Sequence, residues 1–560
     1  MSVASPVLGA FAADRDALDL LASRRLASCN FAVAIAAFGL GALMAVMQAL
    51  ARADLPVWFS SPAVYYLSVT AHGVLMALVF TTFFIMGLGY LLMRRAFGGL
   101  EWETLGWVSF WTAVFGTVMT TLAILSGTST VLYTFYPPLE AHPTFYIGAT
   151  LLVVGSWLWC AVMIRTWLVW RRTHQEPMPL AAHGILTTVV IWVLATSGLA
   201  AEVLGPLLPW SLGWVETIDR IVALSWFWWF GHPLTYFWLV PAYVVWYTIL
   251  PRVAGGLLFS DKLGRVVFVM FILFSTPVGF HHQFVDPGVH AGWKLVHTFT
   301  TYAILYPSLV TAFTIIASLE VAGRMRGGKG LFGWLRTLPW RDPLFSGVAL
   351  AMLTFAIGGF GGAINAAYAM NTVVHNTAWI QGHFHLTVGT AVTLTFMGAT
   401  YWFLPKLTGR RLALRPLATW QPYVWFGGMM LFSLTSHATG LMGQPRRVFS
   451  SSYFGDEVAG SWRLLTGMSA AGGVVLFVSS LMFLAVVVAT WRWGRPVTEA
   501  AELEIEFAAA LDPLPERRPV WDRIGLWALI AVVLVIAAYA KPIYDLLSLE
   551  RYGSLPFRPF

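Results

Sequence analysis

Charge is what this chain of 560 residues has least of. Asp, Glu, Lys and Arg make up 11% of it, where a soluble domain carries roughly a quarter. Length alone would suggest three or four soluble domains, but no apolar segment pauses long enough for one. Cysteine is scarcer still. Cys29 and Cys160 are the only two, and they build neither a disulfide framework nor a metal cluster. No internal repeat is visible, so an inverted-repeat transporter lacks support. The polar N-terminus lacks the basic-then-apolar order of a cleaved signal peptide. The net charge of +8 fits membrane topology, and no nucleic-acid partner is expected.

What remains is apolar and aromatic. The chain is 58% hydrophobic with 28 Trp, and its mean hydropathy is +0.72. Stretches of spanning length begin near Cys29, Val69, Glu103, Phe145, His183, Ile221, Val266, Lys294, Pro343, Val374, Gln421, Leu464 and Ile524. The expected fold is an all-α polytopic membrane bundle of about thirteen helices. With the N-terminus inside and the C-terminus outside, about 25 of the 34 Lys and Arg fall in inner loops, as the positive-inside rule demands. The expected divisions are a cytoplasmic segment at 1–28, a core of twelve helices at 29–493, a cytoplasmic loop at 494–522 read as a solvated linker, and a last helix with an outer tail at 523–560.

The most informative feature is His383 and His385, one residue apart in an apolar helix. Positions i and i+2 point about 200° apart, so one helix would serve two sites. Ionisable groups at membrane depth are functional by default. His72, His232 and the pair His281 and His282 lie on other expected helices. Counting roughly 1.5 Å per residue from the expected helix starts, His383 lies roughly 14 Å deep and His232 roughly 16 Å. All six fall in the outer half. His142, His174, His183, His290 and His437 read as ordinary interfacial or hydrogen-bonded residues. Imidazole suits copper and haem iron. His232, His281 and His282 would make a three-histidine metal site with an open position. His72 would pair with one of the helix-ten histidines across a flat macrocycle, and the other would hold a second, five-coordinate haem.

The runs Gly231-His-Pro-Leu-Thr-Tyr236, His281-His282 and Gly382-His-Phe-His385 resemble the signatures of subunit I of the haem–copper oxygen reductases. Within that family the chain is most similar to the B branch, the ba3-type cytochrome c oxidases. That match extends to Val131-Leu-Tyr-Thr-Phe-Tyr-Pro-Pro138, 275–284 and 374–379. The resemblance implies His72 and His385 on a low-spin haem, expected b-type. It implies His383 on a high-spin haem of a or b type, and His232, His281 and His282 on copper. Tyr236 and His232 are the implied catalytic pair, joined covalently in the family, with the tyrosine giving an electron and a proton as the O–O bond breaks. Nitric-oxide reductases of the same superfamily lack this tyrosine.

Oxygen reduction also needs a polar path for protons. Tyr236, Tyr243 and Tyr247 fall within about 20° of one line on their helix, and Ser308, Thr311 and Thr314 share a face on the eighth. These resemble the single proton channel of the B branch. Leu234 stands where the larger A family has glutamate, and hydroxyls stand where it has a lysine. On the outer side, Arg446 and Arg447 suit haem carboxylates, and His375, Asn376 and Tyr133 match family positions near the haems. Asn371 departs from the branch's aspartate, and Asn376 from the A family's magnesium-binding aspartate. The resemblance further implies proton pumping and a second subunit with a dinuclear copper centre. It also implies a cytochrome c-type donor, a possible small single-helix subunit, and a bacterial or archaeal plasma membrane.

Overall fold

A computed structural model describes residues 6–55, 61–453 and 455–558. Among these residues there are helices and isolated bridges but no strand. A helix covers or adjoins each expected start. These are α1 (Pro6–Arg52), α2 (Pro62–Phe97), α3 (Glu103–Leu125), α4 (Pro143–Thr173), α5 (Leu180–Ser211), α6 (Arg220–Val253) and α7 (Asp261–Phe274). They continue with α8 (Ala291–Met325), α9 (Pro343–Ala366), α10 (378–408), α11 (Arg415–Leu441), α12 (Arg463–Trp493) and α13 (Ile524–Ser548). Ten helices among the described residues are long and apolar enough to cross a membrane. The chain is a polytopic membrane protein. By length or composition alone, α7, α10 and α11 fall outside those ten.

Burial places the centre. Within the most apolar window, 94% of α6 and 83% of α2 is buried, against 28% of α13. The histidine-bearing helices are therefore central, and α13 lies at the rim. His72, His232 and His385 each sit at or beside a point where regular α-helix fails. In α6 the α-helix stops at Gly231 and restarts at Pro233, because proline offers no N–H and favours the first helical turn. In α2 and α10 a π-helical turn follows the histidines directly, at Val74–Phe80 and Thr387–Val392. Such turns widen the helix by one residue and recur at functional sites.

Helix α1 begins at Pro6, ahead of its apolar, membrane-length part at Arg24–Arg52, which lies close to the expected start near Cys29; residues 1–5 lie outside the described residues. Two expectations need correction. The tenth helix does not begin at Val374. A short helix Tyr368–Val374 ends there, Asn376 takes a φ of +58°, and Thr377 caps a new helix by accepting the N–H of Trp379. His383 thus lies five residues into α10, roughly 8 Å from its start.

Second, the 494–522 loop is mostly exposed, as expected, but it is not a free linker, because Asp512 and Asp522 anchor it. The Asp512 carboxylate accepts hydrogen bonds from Ser260 Oγ and from the N–H groups of Asp261 and Lys262, at the N-terminus of α7. That position favours an acceptor and a negative charge. Asp522 accepts from Arg265 Nη1 and from the Met178 N–H. Arg265 also binds Asp261 and the Met178 carbonyl. Both members of the Arg265–Asp522 pair are almost fully enclosed, with side chains 2% and 1% exposed. Removing one partner of such a pair is costly. Asp522→Ala should destabilise the protein by about 3 kcal/mol, read as a lower melting temperature and faster proteolysis between Arg495 and Asp522.

Candidate metal and cofactor centre

The six expected histidines line one cavity of about 450 Å³, together with Tyr236, Tyr133, Ser308, His375, Asn376, Arg446 and Arg447. His232 enters it from the break in α6. His281 and His282 lie on a 3-10 turn, Gly279–Gln283, five residues beyond the end of α7 at Phe274. The three rings can each offer a nitrogen such that all lie within 4.8 Å of one another. His232 Nδ1 is 3.0 Å from His282 Nε2. Its other nitrogen, Nε2, is 3.0 Å from the Tyr236 hydroxyl. The His282 ring lies flat on Trp228, with centroids 3.6 Å apart and planes within 3°.

The remaining histidines are set by carbonyls. His72 Nδ1 donates to Gly41 O (2.9 Å), His383 Nδ1 to Gly358 O (2.8 Å) and His385 Nδ1 to Gln381 O (2.8 Å). A carbonyl only accepts, so each Nδ1 bears the proton and each Nε2 keeps its lone pair, the arrangement of a metal-bound imidazole. His72 and His385 stand with ring planes 4° apart and centroids 6.3 Å apart. Phe384, between the two α10 histidines, packs edge-on to Trp238. His281 is set differently. Thr301 Oγ1 gives its proton to His297 O (2.6 Å), so it accepts from His281 Nδ1–H (2.9 Å) and frees His281 Nε2.

The outer rim is cationic. Arg446 donates to Asn376 Oδ1 (2.8 Å) and Arg447 to Thr134 Oγ1 (3.3 Å). Arg447 lies over the Tyr133 ring, takes a φ of +59°, and has Nη2 without a partner. Burial and the adjacent Arg447 push the Arg446 guanidinium down to about 10. Burial opposes ionisation of Tyr133, yet the two arginines outweigh it and hold the phenol below its ordinary value. An orphaned buried N–H and two crowded cations fit anionic groups such as haem carboxylates. Asn371 donates to Asn365 O (2.7 Å).

The cytochrome c and quinol oxidase polypeptide I model matches residues 25–475. The chain belongs to that family. It is similar to a cytochrome c oxidase subunit 1 of Thermus thermophilus, at 43% identity over 86% of each chain. A haem–copper oxidase subunit I+III of Aeropyrum pernix is 28% identical over 75% of this chain and 51% of its own length. A solved haem–copper terminal oxidase dimer superposes with a TM-score of 0.91 at 35% identity, covering 96% of this chain and 95% of that one. Membership implies haems and copper, and the donor set described above fits both.

Of the expected proton-path residues, Tyr247 donates directly to Thr311 Oγ1 (3.1 Å). Ser308 and Thr314 are buried on the same face of α8, and the Tyr243 side chain is fully buried. Trp228, Thr301, His297 and Arg52 also shape the site, although nothing in the sequence singles them out. Arg52 is buried and donates to Gln381 Oε1 (2.6 Å), one turn before His385. Their signal is faint, since an isolated tryptophan, threonine or arginine looks like packing. Gly73 follows His72 and lies against Tyr133, where a Cβ would come within 2.2 Å of the tyrosine Cβ. Gly73→Ala should displace Tyr133 and lower the haem content per chain, measured by pyridine haemochrome.

Proposed function

We propose that this chain is the catalytic subunit of a B-branch terminal oxidase. It would reduce oxygen to water with electrons from a cytochrome c-type donor and protons from the cytoplasm, coupled to proton pumping. The observation that carries this is the convergence of His232, His281 and His282 with the Tyr236 hydroxyl 3.0 Å from His232, in one cavity with His383 and the parallel His72–His385 pair.

His72 and His385 would hold a low-spin b-type haem, His383 a high-spin haem of a or b type, and the three-histidine cluster copper. When bound, these groups supply electron transfer and the reducing centre for oxygen. The chain's residues do the rest. Nδ1 hydrogen bonds aim each imidazole. Arg446 and Arg447, with His375, Asn376 and Tyr133, hold haem carboxylates. Tyr236 keeps a proton beside the cluster. Protons would reach it by way of Thr314, Tyr247, Thr311, Ser308 and Tyr243, with water joining the hydroxyls that do not touch. Thirteen spans with the N-terminus inside would open this path to the cytoplasm. The oxidase would sit in a bacterial or archaeal plasma membrane. Electrons would enter through a second subunit with a dinuclear copper centre, with a small single-helix subunit as a further partner.

Reduced-minus-oxidised spectra with and without carbon monoxide, together with copper analysis, test the assignment. Absence of haem would sink it, as would nitric-oxide uptake exceeding oxygen uptake. His72→Ala should lose the low-spin spectrum and leave a haem that still binds carbon monoxide. Tyr236→Phe should lower oxygen uptake at least about a hundredfold, the scale of a lost proton donor, with both haem spectra retained.

A further inference from the structure

The copper-ligand turn is irregular backbone inside a helical bundle, and such backbone must find partners within the protein. Those partners come from two helices. The Tyr539 hydroxyl, on α13, accepts the Gly279 N–H (2.9 Å) and donates to Thr276 O (3.0 Å). His297, on α8, accepts the Phe280 N–H at Nδ1 (3.2 Å), so its proton lies on Nε2, which donates to Ala538 O of α13 (3.3 Å). Thr300 donates to Pro277 O (2.6 Å). Four backbone groups between 276 and 280 thus depend on Tyr539, His297 and Thr300, and two of these three partners lead to α13.

The fit leaves no slack. A Cβ on Gly279 would lie 2.3 Å from Trp228 O and 2.5 Å from the Tyr539 hydroxyl. The turn is therefore pressed between α6 and α13. Tyr539 also stacks on Trp229 (4.5 Å) and packs against Phe280 (5.1 Å) and His297 (5.0 Å). His281 and His282 begin two residues after the clamped Gly279. A shift of the turn moves both ligating nitrogens relative to His232, which is fixed on α6.

We propose that Tyr539 and His297 are positioning residues of the copper centre, and that α13 acts as the brace setting the ligating register of His281 and His282. This rests on the copper assignment above. Partners one shell out from a metal commonly change its affinity about 10–100-fold when removed.

The test uses the purified oxidase, loaded with haem and copper. Two quantities are read: the infrared stretch of carbon monoxide on copper after photolysis from the haem, and copper retained per haem iron after dialysis against a chelator. Tyr539→Phe keeps the ring contacts and removes only the hydroxyl. It should shift or split the band and weaken copper retention about tenfold, with haem content unchanged. Val535→Ala, one turn away on α13 and buried, should lower the melting temperature but leave both quantities alone. Should Tyr539→Phe fail to assemble, His297→Leu should produce the same changes, and His297→Asn, whose Oδ1 replaces Nδ1 as acceptor, should restore most of the effect. Variants indistinguishable from the unaltered enzyme would overturn the inference, as would equal changes in Val535→Ala. Failure of the copper assignment itself is seen separately, as unaltered enzyme holding haem but no copper.

Discussion

The hydrogen bond from an imidazole Nδ1–H to a carbonyl is the interaction on which this site depends. His72, His383 and His385 each make one, to Gly41, Gly358 and Gln381. In water such a bond would be replaceable. In a low-dielectric interior the alternative is an unpaired polar group, so the bond fixes both tautomer and ring direction. Each bond turns Nε2 into the only free donor atom. Packing α1 and α9, which supply the accepting carbonyls of Gly41 and Gly358, against α2 and α10 therefore places the lone pairs of His72 and His383, while His385 is set by Gln381 of its own helix.

The same economy of polar groups governs the ends of the bundle. Arg265 is buried with Asp261 and Asp522, and Asp512 caps α7. These contacts tie the 494–522 loop to the N-terminal ends of α5 and α7. The loop in turn delivers α13 to the rim of the bundle, where Tyr539 meets the turn carrying His281 and His282. The buried Arg265–Asp522 pair and the His281–His282 turn thus share one mechanical element.

The helical fold and the histidine set were legible in the chain because both are written locally. Hydropathy marks an apolar span wherever a helix crosses, although not the helix's own first residue, and a histidine in an apolar run needs no tertiary knowledge to stand out. What was not legible depends on partners far away in sequence. The break at His375–Thr377 needed the left-handed Asn376 and the Thr377 cap, and neither interrupts the apolar pattern. Asp512 and Asp522 looked solvated because their partners lie about 250 residues earlier. Nothing local marks His297 and Tyr539 either, since their partners are backbone groups of the turn at 276–280.

The π-helical turns after His72 and His385 have one more consequence. Each adds a residue to its helix between the half that carries the ligands and the half beyond. Side chains beyond such a turn are rotated relative to those before it, so the two halves of α2 and α10 keep separate registers. A deletion within either turn would therefore realign the half beyond it while leaving the ligand's own contacts in place.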